Sequence, residues 1–317
     1  MLCQARHVRT GPGAVAQRLA AVLDGAVASP VGADDIEAIR ADLDAAARRA
    51  VELIVGHDEV AALPLRLPKG RVVALGSCER HALAVFREQD TAVALVEEMS
   101  VPMLRGRALD AFVEHEIVAG PIADPLEDLL SWLDACGEQD VRDQAIAAGE
   151  ILELAPLASA ARDWAGIDPA WWPRTQAAVA AHLADGAVRC EGRTDVELGG
   201  PLSGRPGVVV EVKLGRPHSG HLTEITHYAL LVALRDRAAP VSVARWYPGG
   251  ALAEMTVTTD VLHTAARRLA DAILTWAQLL AGRPSVEHPG PMCGWCPDAD
   301  VCPSFEPAPD PFDDGVT

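Results

Sequence analysis

The chain has 317 residues, half of them hydrophobic, and a formal net charge of −18. That length can bury one large core or two smaller ones, while the acidity opposes non-specific phosphate binding, which Lys and Arg ordinarily supply. No basic stretch followed by an apolar run opens the sequence and no run approaches the roughly 18 apolar residues of a membrane helix, so a cytoplasmic protein with no membrane role is expected.

The first third reads as helical, with Ala-rich amphipathic runs over Ala14–Leu23 and Asp34–Val55, the second opened by Asp34 and Asp35 as caps. Leu63-Pro64 and Leu67-Pro68-Lys69-Gly70 interrupt the pattern. A short strand is expected over Arg71–Leu75, then helices over Glu79–Arg87, Leu104–Val118, Pro125–Ala135 and Asp140–Ala161. Trp171-Trp172-Pro173 falls in a loop, its indoles reading as an apolar anchor more than as a platform for stacked bases.

From Ala187 the hydrophobic period shortens to two. Val188, Cys190, Thr194, Val196 and Leu198 share one side, and Arg189, Glu191, Arg193, Asp195 and Glu197 the other, which predicts a half-buried strand. The Gly/Pro-rich stretch 199–207 leads into a second strand, with Val208, Val210 and Val212 facing the core and Glu211 and Lys213 opposite. A helix over Leu222–Leu234, strands over Val241–Tyr247 and Leu252–Val257, and a helix over Asp260–Leu280 follow. This order predicts an α/β or α+β protein in which a central mixed sheet is flanked by helices.

Two constellations carry chemistry. Of the 27 basic residues only Lys69 and Lys213 are lysines, so a chain that writes arginine almost everywhere has kept an ammonium beside Glu211. Asp195, Glu211 and Lys213 on adjacent strands can hold a divalent cation and position a water, the requirements of phosphodiester hydrolysis. Mg²⁺ prefers one or two carboxylates plus waters, which Asp195, Glu211 and the carbonyl of Val212 would satisfy. On these residues alone an exposed strand face with an ordinary Glu/Lys pair remains open.

The second constellation is Cys293-x2-Cys296-x5-Cys302. Seven cysteines, three of them crowded near the C-terminus among Gly and Pro, do not suit a disulfide framework and do suit a soft metal centre. Four thiolates would complete either a zinc site or a 4Fe-4S cluster. His218, His221 and His227 read as phosphate contacts or surface residues.

These motifs resemble the PD-(D/E)XK nuclease superfamily, in particular its RecB-like branch with an iron-sulfur cluster, over about Cys78–Cys302. The Gly-x3-His-x3-Glu helix of that branch matches Gly106–Glu114, with Asp110 in place of histidine; the Gln-x3-Tyr helix matches Glu224–Tyr228, with glutamate for glutamine. The resemblance implies a restriction-endonuclease-like core in which Asp110, Asp195, Glu211 and Val212 bind Mg²⁺ or Mn²⁺. Lys213 would act on the attacking water, and Glu224 and Tyr228 would support it. It also implies a cluster on Cys293, Cys296, Cys302 and a distant fourth cysteine, for which Cys78 is the matching position; Cys3, Cys136 and Cys190 are the others, Cys190 reading as a core residue. The implied domains are a helical extension 1–65, a helical part 66–185 with the first cluster cysteine, a nuclease core 186–282, a cysteine clasp 283–305 and an acidic, disordered tail 306–317. The implied substrate is DNA, single-stranded or at ends, in repair or processing. No nucleotide-binding loop occurs, so any helicase or repair partner is a separate polypeptide. A catalytically inactive iron-sulfur protein that binds nucleic acid or a partner, and a CRISPR-adaptation type exonuclease, are the alternative functions.

Overall fold

The computed structural model describes residues 13–25, 29–55, 64–91, 100–121, 131, 134, 139–149, 151–250 and 252–305. The chain divides into two compact units. One comprises Met1–Asp42, Val96–Ala181 and Cys190–Arg267, the other Leu43–Leu95, His182–Arg189 and Arg268–Thr317. The elements are mixed: helices α1 (Ala14–Gly25), α2 (Ala33–Ile54), α3 (Lys69–Leu75), α4 (Glu79–Thr91), α5 (Val101–Val118), α6 (Gln139–Ala147), α7 (Ile151–Ala161), α8 (Ser219–Asp236) and α9 (Thr259–Leu280), and strands β1 (Leu65–Pro68), β2 (Arg174–Leu183), β3 (Val188–Gly200), β4 (Arg205–Val212), β5 (Ser242–Trp246) and β6 (Ala253–Thr256). The strands form one six-stranded mixed sheet in the order β1-β3-β4-β5-β6, with β2 also on β3.

In the larger unit the core forms where apolar stripes meet this sheet. α1 buries Val15, Leu19 and Leu23, spaced one helical turn apart, and α5 buries Leu104, Ala108, Leu109 and Phe112. They pack with Val196, Val208, Val210, Val212 and Ala244 of the strands. Trp164 meets Trp246 edge to face, centroids 5.7 Å apart and planes at 88°. β4 pairs antiparallel with β3 and parallel with β5, and every residue from Val208 to Val212 is buried. A central strand with a parallel neighbour is covered on both faces, so the expected solvent-facing side of this strand does not occur and Glu211 is only 1% exposed. At the β3 end of the ladder the register slips between Leu198 and Gly200, and Gly199 holds φ +72 with Pro206 so close that a Cβ would stand 2.0 Å from its carbonyl oxygen.

In the smaller unit Leu65 donates its N–H to the carbonyl of Ala187 at 2.9 Å, which pairs β1 with the chain entering β3. Arg71–Leu75, expected as a strand, is helical. Pro68 is the extended cap residue, and Arg71, Val72 and Leu75 then bury one face, a spacing that only a helix produces. The Arg71 guanidinium, 3% exposed, lies 4.7 Å from the Phe86 ring centroid and 4.2 Å from that of Trp276. Such stacking desolvates its charge at little cost.

Two further expectations are corrected. Asp140–Ala161 is two helices rather than one, because Gly149 between them adopts φ +70, which ends α6. β2 lies where no element was expected, since its Ala-rich sequence has little strand propensity. The helix expected over Pro125–Ala135 and the acidic tail 306–317 fall outside the described residues, apart from positions 131 and 134.

Candidate active site and cysteine pocket

The antiparallel ladder between β3 and β4 stops at Val196 opposite Val210. One residue beyond, a side chain takes over from the backbone: the Val212 N–H donates to Asp195 Oδ2 at 2.7 Å. Across the sheet the Lys213 N–H donates to the Trp246 carbonyl at 2.9 Å, which continues the parallel pairing. The β4 terminus is therefore fixed from both sides, and with it Glu211 and Lys213. The Lys213 Nζ stands 2.7 Å from Glu211 Oε1 and 2.6 Å from Glu224 Oε2 of α8, so one ammonium joins strand to helix between two carboxylates.

Asp195 lies in a crowd of like charge. Burial first, then the carboxylates of Glu211 and Asp110, push its carboxyl well above the usual range, against the pull of the Val212 N–H and of Lys213. Asp110, from the middle of α5, is thus close enough to Asp195 to be felt by it. Among the described residues no group of three or more His, Cys, Asp or Glu side chains is spaced to hold one metal ion as the side chains stand. Two carboxylates and a strand-end carbonyl nevertheless suit a cation that keeps several of its waters.

A titration test follows. In folded protein the Asp195 carboxyl keeps its proton above its ordinary pKa of 3.8, where the unfolded chain has released it. The stability of the metal-free protein therefore falls as pH rises through the window from about 4 upward. Asp195→Asn keeps an acceptor for the Val212 N–H and has no charge to bury. In chelator it is expected to melt roughly 2–4 °C above the parent at pH 8, the gap closing at pH 5. A gap independent of pH would show that the crowding is not felt.

α8 supplies more than Glu224. One turn on, Tyr228 is buried against β3, where a Cβ on Gly192 would come within 2.6 Å of its Cε1. Gly192→Ala must push a rigid ring out of place. It is expected to cost about 1–3 kcal/mol in chemical denaturation, and Gly192→Ala combined with Tyr228→Ala to cost less than the sum of the two single changes. Near the helix start His221 Nδ1 is 2.8 Å from the Tyr247 hydroxyl, with the His218 ring 3.5 Å from its own, centroid to centroid. Burial, then His218 and Lys213, hold the His221 imidazole down at about 4, so it is neutral at pH 7.

Sequence reasoning missed two parts of this region. Arg245 is paired with Glu211 in the parallel register of β4 and β5; the strand over Val241–Tyr247 was legible but its neighbour strand was not. Glu197, read as a solvent-facing residue, is 2% exposed and is held by Arg174, Arg235 and Thr194. Gly106, one turn before Asp110, has open space where a side chain would stand.

In the smaller unit the four predicted cysteines come together. Cys78 at the start of α4, Cys293 and Cys296 at a 3-10 turn (Pro291–Trp295), and Cys302 after a second (Ala299–Val301) line one cavity with Arg80, His81, Met292 and Phe305. The Cys296 thiol is raised first by burial, and also by Asp298, Cys78 and Cys302 beside it. Two ion pairs and a hydrogen bond tie the two parts of this pocket together: Glu79 to Arg283 at 2.9 Å, Arg80 to Glu287 at 3.0 Å, and the Val286 N–H donating to Glu79 at 2.7 Å. Cys190 is buried in β3 with its thiol pushed up to about 12 by burial, as expected of a core cysteine. Cys3 and Cys136 lie outside the described residues.

No family model matches the chain, and no curated protein matches it. The solved crystal structure of SSO0001 is similar over 82% of this chain and 95% of its own, at 16% identity and a TM-score of 0.39, too remote a likeness to carry an argument. No helix among the described residues is long and apolar enough to cross a membrane.

Proposed function

We propose that this protein is a RecB-like nuclease of the PD-(D/E)XK superfamily, a Mg²⁺- or Mn²⁺-dependent hydrolase of DNA phosphodiester bonds that acts on single strands or ends. The observation that carries this reading is the Lys213 ammonium held between Glu211 and Glu224 beside the crowded Asp195. An exposed strand pair would need none of this burial. Asp195, Glu211, the Val212 carbonyl and Asp110 would hold the cation, which when bound neutralises phosphate charge and makes water a nucleophile near neutral pH.

The chain's own residues do the rest. Held between two carboxylates, the Lys213 ammonium would orient or activate the attacking water and offset charge in the in-line transition state. Glu224 sets the direction of the amine, and Tyr228 fixes α8 against β3. The open space over Gly106 leaves α5 free of side-chain bulk on the approach to Asp110, although glycine there weakens the helix by ~1 kcal/mol.

The four cysteines fit a cluster by the chemistry of the donor set. Thiols lining one cavity suit a soft centre, and four of them suit the cluster that the resemblance implies, with zinc as the alternative. Such a centre would cross-link segments more than two hundred residues apart by sequence position, Cys78 and Cys293, so its main role is structural.

The test is an assay of anaerobically purified protein with Mn²⁺ on end-labelled linear and on circular single-stranded DNA, with a chelator control. Metal-dependent degradation of the linear strand supports the reading, and loss of the circle as well marks an endonuclease. Binding of either DNA without cleavage under any divalent cation would overturn the enzyme and leave a non-catalytic binder.

A further inference from the structure

His81 lies one turn after Cys78 on α4 and lines the same cavity as the four cysteines. Its Nδ1 is buried without a hydrogen-bond partner. Buried polar atoms are almost always paired, and the bonds of Arg80, Glu287 and Ser304 in the same wall run to one another and to the backbone rather than to His81. Arg80 donates to Glu287 at 3.0 Å and to the Val301 carbonyl at 3.1 Å, and Ser304 donates to Glu287 at 2.7 Å. The wall also includes Pro289, Met292, Ala299 and Phe305, whose side chains carry no oxygen or nitrogen acceptor.

We infer that His81 donates a hydrogen bond from Nδ1 to the sulfur of an iron-sulfur cluster held by Cys78, Cys293, Cys296 and Cys302, and so sets how readily that cluster is reduced. The inference rests on the cluster reading above. Four thiolates already complete the ligand set, which leaves His81 a positioning residue rather than a ligand. A reduced cluster carries more negative charge than an oxidised one, so a donor to its sulfur favours reduction. Nothing in such a role requires His81 to touch DNA.

The experiment compares the full chain, purified anaerobically, with His81→Leu and His81→Gln, by iron and sulfide content and by redox titration followed in visible absorbance. Both variants are expected to keep the parent's iron and brown colour. At the parent's midpoint, His81→Leu should hold the cluster about tenfold less reduced, equivalent to about 59 mV for a one-electron couple, and His81→Gln, which restores an N–H donor, should recover most of that. An unchanged midpoint in His81→Leu overturns the inference, as does loss of iron from both variants, which would make His81 a ligand. A colourless, zinc-loaded parent overturns the cluster reading itself and the inference with it, an outcome distinguishable by metal analysis of the parent alone.

Discussion

Replacing Lys213 by alanine is expected to slow Mn²⁺-dependent DNA hydrolysis by roughly 10²–10⁴-fold while the protein remains folded. The ammonium is paired with both Glu211 and Glu224, at 2.7 and 2.6 Å. Removing it takes away the group that would face the attacking water and leaves Glu211, 1% exposed, beside Asp195 with less compensation. A purely structural role would also produce some loss, through misplacement of α8. Lys213→Ala combined with Glu224→Gln separates the two: it reduces the excess negative charge and should recover most of the lost melting temperature without recovering the rate. Lys213→Arg should be slow as well, because a planar fork cannot occupy the position of a compact ammonium between two carboxylates. Single-turnover rates on end-labelled single strands, taken beside melting curves of the same preparations, decide the matter. A Lys213→Ala rate equal to the parent's would end the catalytic assignment of this residue.

The parts of this site that could be read from the sequence were those set by local pattern. Two-residue alternation placed Asp195 near the end of one strand and Glu211 and Lys213 on the next, and four-residue spacing placed Glu224 beneath Tyr228 on a helix. The scarcity of lysine singled out Lys213 before any neighbour was known. What pattern could not reveal was set by which strands become neighbours. The parallel pairing of β4 with β5 buries both faces of β4, so Glu211 is enclosed although its sequence environment reads as half-exposed, and Arg245 arrives beside it from a segment remote in the chain. β2 escaped notice for the opposite reason: an alanine-rich strand carries almost no strand signal, and only pairing with β3 makes it one. Gly192 carried no signal within its strand, whereas its need is space for the ring of Tyr228, a long-range contact invisible in one dimension.

Arg235→Ala is expected to destabilise the protein by about 3 kcal/mol, a fall of about 6–12 °C in Tm. Glu197 on β3 is 2% exposed. Arg235 of α8 grips it with two hydrogen bonds, at 3.1 and 2.8 Å, while Arg174 of β2 approaches at 2.5 Å and the Thr194 hydroxyl donates at 2.7 Å. Asp236 holds the far side of the same guanidinium at 2.6 Å; this hydrogen bond is the largest of the causes that raise the Arg235 pKa, with Glu197 adding to it. Truncating Arg235 leaves Arg174 to compensate the buried carboxylate alone, and a buried charge short of partners costs more than the intact pair contributes. Adding Glu197→Gln to Arg235→Ala removes that charge, so the double variant should be more stable than Arg235→Ala itself, a non-additivity that surface residues do not show. The network also bears on chemistry, because β3 carries both Glu197 and Asp195, and α8 both Arg235 and Glu224. Loosening one end of the helix from the strand should shift the other, so Arg235→Ala is expected to lower hydrolysis beyond what its unfolded fraction explains, at a temperature well below its Tm. A variant that melts early yet cleaves at the parent rate per folded molecule would show that α8 is positioned from its Lys213 end alone.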